Sequence, residues 1–210
     1  MSRMADGAPE GTVHVPPASI RTPENLILGI DPGLQTTGYA VLRFTDGPAS
    51  GVGMSPCSVA EAGVVRASPK ESLGNRVQAI YQGVREVLES FRPCAVALEE
   101  LYSHYEMPRT AILMGHARGV ICLAASQSNV PVVGYSATQV KKILTGNGRA
   151  PKSQVQQAIQ RELRLPRLPE PADVADALAI ALCHYYLQQR SPQILASTAG
   201  SLSRKIIKKL

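Results

Sequence analysis

Three β-rich runs with short connections, followed by strands that alternate with long helical segments, leave this chain few folds to adopt. Within "NLILGID" a short apolar run ends at Pro32-Gly33, a strand and its turn. "TTGYAVLRF" and "VVRA" supply two further strands. "PKESLGNRVQAIYQGVREVLESFRP" sets Leu73, Val77, Ile80, Val84, Val87 and Leu88 at helical spacing, and Pro93 stops it. "CAVALEE" is a fourth strand, and "MPRTAILMGHARGVICLAASQS" is a second helix with Pro108 in its first turn. "VPVVGY" is the fifth strand. Ser136 caps a helix over "ATQVKKIL", the loop "TGNGRAP" follows, and two helices span about 151–164 and 172–189. Hairpin connections suit an antiparallel trio, whereas helical crossovers demand parallel pairing of the later strands. The expected fold is therefore α/β, a mixed five-stranded sheet with helices on both faces. That outline alone decides nothing about function.

The boundaries follow from composition. Residues 1–25 are rich in Pro, Gly and Ser and read as a flexible leader with no secretory h-region. Residues 26–189 hold the folded domain, and 190–210 form a basic tail expected to be flexible. No run of eighteen apolar residues exists, so no membrane span is expected. Cys57, Cys94, Cys122 and Cys183 are widely spaced without a C-x-x-C pair, which points to reduced thiols and a cytoplasmic location. Net charge is +6. Its distribution says more: between Glu106 and Glu162 there is no Asp or Glu, only Arg109, Arg118, Lys141, Lys142, Arg149, Lys152 and Arg161 among the charges. A solvated surface mixes both signs, so a one-sign interval of this length points to phosphate binding.

The acids are placed differently. Ile27, Gly29 and Asp31 share one face of the first strand, as Ala95, Ala97 and Glu99 do on the fourth. Each strand ends in an acid preceded, two residues earlier, by Gly or Ala, which lets a covering element approach closely. "ADVADALAIAL" supplies that element, with Asp173, Asp176, Ile180 and Cys183 on one helical stripe. Four carboxylates at one sheet edge repel one another unless cations lie among them, and oxygen-only ligands suit Mg²⁺ or Mn²⁺. Two such ions about 4 Å apart can activate water and stabilise a leaving oxygen in phosphodiester cleavage. Helix capping accounts for Asp173 as well, though it leaves Asp31 and Glu99 unconnected.

"ILGIDPGLQTTGYAVL", "VALEELY", "GHARGV", "QVKKILTGNGRAPKSQVQ" and "ADVADALAIALCH" closely resemble, in order, the motifs of the RuvC family of bacterial Holliday-junction resolvases, from about Leu26 to His184. The resemblance implies an RNase H-like fold with Asp31, Glu99, Asp173 and Asp176 as catalytic, metal-ligating acids. It implies paired, symmetric, metal-dependent nicks in four-way DNA during recombination and repair, with two Mg²⁺ or Mn²⁺ per site and a 5′-phosphate product. One of the two helix acids, Asp173 or Asp176, would help orient the attacking water. Lys141 and Lys152 match basic residues near the DNA backbone and scissile phosphate, and Lys142 and Arg149 in the same block are expected DNA contacts. Tyr102 matches an aromatic, often Phe, that contacts bases near the crossover; stacking of this kind is worth about 1–3 kcal/mol per base. A homodimer and the RuvAB branch-migration complex are the implied partners. Glu100 stands where relatives carry a polar neutral residue, and the leader and tail have no counterpart.

Two rival readings compete. "DPGLQTTG" loosely resembles the phosphate loop of sugar kinases and actin-like ATPases, which need a second domain and further nucleotide motifs. A junction-binding protein without turnover would not need all four acids. Ala111, Gly115 and Gly119 form a small-residue stripe suited to close helix contact or to packing on the chain's own sheet.

Overall fold

The computed structural model describes residues 25–45, 55–101 and 108–207. An uninterrupted apolar strand must be covered on both sides, and β1 (Leu26–Asp31) lies at the centre of the sheet, buried up to its final residue. β2 (Thr36–Phe44) pairs antiparallel with β1, and β3 (Cys57–Arg66) pairs antiparallel with β2. On the other side of β1, β4 (Ala95–Glu99) and then β5 (Val132–Tyr135) add in parallel. The order β3-β2-β1-β4-β5 is the mixed sheet that the alternation of elements predicts.

Alternation of side chains divides the core in two. Leu26, Leu28, Ile30, Val96 and Leu98 point to one face. There they meet Ile80, Val84 and Leu88 of α1 (Leu73–Phe91) and Ala117, Ile121, Ala124 and Ala125 of α2 (Pro108–Gln127). Ile27, Ala40, Leu42 and Ala97 point to the opposite face. That side is covered by α3 (Ala137–Thr145), α4 (Lys152–Glu162) and above all α5 (Ala172–Ile207).

Local chemistry fixes several ends. Ser72 caps α1 by accepting from the Asn75 amide at 3.2 Å, and Ser136 caps α3 by accepting from Gln139 at the same distance. α1 closes on Arg92 in the left-handed region, one residue before Pro93. Two boundaries differ from expectation. β3 starts at Cys57, well ahead of "VVRA": it is an edge strand, half-exposed along its length, so it needs no clean apolar alternation. α5 continues past Gln189 to Ile207.

α5 lies unusually close to the sheet. A Cβ on Gly29 would run into the Ala177 carbonyl and stand 2.8 Å from the Ala181 Cβ. A Cβ on Gly38 of β2 would collide with the Asp173 carbonyl. Glycine at these two positions is therefore what lets the first turns of α5 rest on β1 and β2. No disulfide joins Cys57, Cys94, Cys122 and Cys183. No described helix is long and apolar enough to cross a membrane.

Candidate active site

The parallel register pairs Ile30 with Leu98, so Asp31 and Glu99 end adjacent strands side by side. Both follow the face that carries Gly29 and Ala97, the face that α5 covers. Asp173, in the first turn of α5, stands over Gly38, the β2 residue paired with Asp31. Asp176, one turn further, lines a cavity of about 250 Å³ together with Glu99, Lys141 and Lys152. Ala137, Val140, Val155, Ala179 and Ile180 form its apolar wall.

Electrostatics show how crowded the acids are. Burial first, then the charge of Glu99 and a hydrogen bond with it, then Asp176 and Asp173, push Asp31 up to about 8. Burial also raises Glu99, opposed by the hydrogen bond with Asp31 and by the charges of Lys141 and Arg118. The pair thus retains a proton at neutral pH. Lys152 donates to the Asp176 carboxylate, Nζ to Oδ2 at 2.7 Å, and this contact raises the lysine. With its side chain 54% exposed, Lys152 gains little stability from the pair. It remains a mobile cation that can exchange partners.

The turn after Asp31 is closed by Thr37, whose buried hydroxyl donates to the Gly33 carbonyl at 2.7 Å. Arg76 of α1 donates to Leu34 of the same turn at 3.2 Å. Behind β4, a guanidinium nitrogen of Arg118 on α2 donates to the Glu99 carbonyl. On β5, Tyr135 pairs through its hydroxyl with Nδ1 of buried His184 of α5 at 2.6 Å, and burial lowers the histidine pKa.

The donors at this site are carboxylate oxygens, the chemistry that hard dications accept, and their buried mutual repulsion is what a cation would relieve. Among the described residues, no group of three or more acids, histidines or cysteines stands ready to hold a metal ion. Asp31 is turned to Glu99, and Asp176 to Lys152. The donor set fits a dication; three of its four acids are engaged, Asp31 with Glu99 and Asp176 with Lys152.

Of the residues singled out in the sequence, Asp31, Glu99, Asp173, Asp176, Lys141 and Lys152 converge on this edge. Lys142 and Arg149 are exposed and do not line the cavity. Tyr102 lies outside the described residues. Spacing and composition give no signal for Thr37, Arg76 or His184; Arg118 stands in the acid-free basic interval and in the block "GHARGV", but its contact with Glu99 is not legible there.

A family model describing crossover junction endodeoxyribonuclease RuvC matches residues 27–184. The crossover junction endodeoxyribonuclease RuvC of Rhodopirellula baltica is 55% identical over 161 residues, covering 77% of this chain and 86% of that protein. The Thermus thermophilus RuvC structure superposes with a TM-score of 0.69 at 36% identity, covering 79% of this chain and 96% of that one. The T. thermophilus RuvC in complex with its Holliday junction substrate gives 0.67 at 38% identity, over 78% and 94%.

Proposed function

Since the chain belongs to the RuvC family of crossover junction endodeoxyribonucleases, we propose that Asp31, Glu99, Asp173 and Asp176 are the acids with which it cuts. The protein is an endonuclease that resolves Holliday junctions, and it binds junction DNA. Nucleases of this family depend on metal ions. The four acids would hold Mg²⁺ or Mn²⁺, two ions per site. When bound, the metal supplies activation of water and stabilisation of charge at the scissile phosphate, which leaves a 5′-phosphate.

The chain's own groups do the rest. Asp31 and Glu99 give up their retained proton as the site charges. Asp173, at the start of α5, orients the attacking water. Lys152 leaves Asp176 for a phosphate oxygen, an exchange its exposure permits, and Lys141 at the cavity mouth adds a second positive charge. Lys142 and Arg149 hold the DNA backbone further out, and Tyr102 stacks on a base near the crossover. The enzyme works as a homodimer in the cytoplasm, with the RuvAB branch-migration complex as its partner.

The observation that carries this reading is the cluster of half-buried acids at the ends of β1 and β4, under the first turns of α5, with Asp31 raised to about 8. The test is a synthetic four-way junction incubated with the protein and Mg²⁺ or Mn²⁺. Paired nicks at symmetric positions are expected. Tight binding without nicks would sink the reading, and so would ATP turnover in place of cleavage.

A further inference from the structure

We propose that Arg118 is a positioning residue for Glu99, acting from the face of the sheet opposite α5. The inference rests on the reading of Glu99 as a ligating acid. A strand's last carbonyl lies at the end of the ladder and still needs a donor. At Glu99 that donor is the Arg118 guanidinium, which leaves α2 and meets the Glu99 carbonyl. The Glu99 side chain emerges on the other face, toward Asp176, Lys141 and Lys152. Arg118 therefore holds the residue by its backbone while leaving the carboxylate free to reach the cavity.

A planar guanidinium fixes direction where an ammonium supplies only charge. Arg118 also lies between Gly115 and Gly119, exposed positions where an added Cβ would meet nothing within 4 Å. Helix α2 thus turns an open surface outward and one arginine inward. Any partner that settles on that surface bears on the helix that places Glu99.

The test uses the full-length chain with Arg118→Ala and Arg118→Lys. The measurements are melting temperature, junction affinity without metal, cleavage rate at saturating junction in Mn²⁺, and Mn²⁺ affinity by calorimetry without DNA. Groups that orient a metal ligand typically cost about 10–100-fold in metal affinity or activity when removed. Arg118→Ala is accordingly expected to lose at least about tenfold in saturated rate and to bind Mn²⁺ more weakly, with junction affinity unchanged. Arg118→Lys, which keeps the charge and one donor, is expected to fall between it and the wild type in both.

Loss of junction affinity with an unchanged saturated rate would make Arg118 a DNA contact and overturn the proposal. So would wild-type rate and Mn²⁺ affinity in both variants. If Arg118→Ala does not fold, Arg118→Lys decides: reduced rate and Mn²⁺ affinity at a wild-type melting temperature support the proposal, and no change in either refutes it. A wild-type chain that nicks no junction would overturn the enzymatic reading instead, and the Mn²⁺ calorimetry would still judge Arg118.

Discussion

At Asp31, burial and three neighbouring acids act in one direction, so its titration becomes a measurable property of the fold. The unfolded carboxyl titrates near 3.8, the folded one near 8. Between these values the folded chain holds a proton that the unfolded chain has released. The resulting stabilisation is complete below the lower value and disappears as pH rises through the upper one. In metal-free buffer the melting temperature is expected to fall with rising pH across that window. Asp31→Asn is expected to reduce the slope, to melt above the wild type at alkaline pH, and to bind junctions without nicking them. A flat wild-type profile, or a nicking Asp31→Asn, would contradict the site. Lys152→Ala is expected to lower the saturated cleavage rate more than junction affinity; equal losses would make it a plain backbone contact. Sequence alone could indicate Asp31, Glu99, Asp173 and Lys152, since each ends a strand or opens a helix. It could not indicate the contact of Arg118 with Glu99 or the Tyr135–His184 pair, whose partners lie on elements that meet only in three dimensions.

Helix α5 is the element whose seating decides the site, and glycines on two strands admit it. Gly29 and Gly38 each face backbone atoms of α5, which cannot swing aside as a flexible side chain would. Gly29→Ala and Gly38→Ala are therefore expected to destabilise the fold by about 1–3 kcal/mol through overpacking. Urea denaturation would show this as a lowered midpoint with an unchanged slope. Gly38→Ala also displaces Asp173 and is expected to slow cleavage more than Gly29→Ala. Midpoints equal to the wild type would mean that the helix rides higher than the structure shows. The close seating was legible in advance, because a small residue two before a terminal acid recurs on β1 and β4. The extent of β3 was not. Ser58, Ala60, Glu61 and Ala62 carry no apolar period, because an edge strand draws its order from backbone pairing with β2 rather than from burial.

Taken whole, the molecule puts its acid-lined edge on one side of the sheet and an open helical surface on the other. The small-residue stripe of α2 could have served the chain's own sheet, but Gly115 and Gly119 face outward, with Ile112 64% and Leu123 50% exposed on the same helix. An exposed apolar stripe with glycines that permit close approach suits a second copy of the same helix, and a two-fold enzyme suits a junction cut symmetrically. Burying one large aliphatic side chain is worth roughly 1.5–3 kcal/mol, and a two-fold contact counts each such residue twice. Ile112→Glu with Leu123→Glu would place a carboxylate pair against its own image, which costs stability only in the dimer. The doubly substituted chain is expected to keep its melting temperature, to sediment as a monomer at concentrations where the wild type is expected to sediment as a dimer, and to leave single, unpaired nicks. A dimer that survives both charges would move the interface off α2. A monomeric variant that still cuts in symmetric pairs would separate paired cleavage from dimerisation altogether.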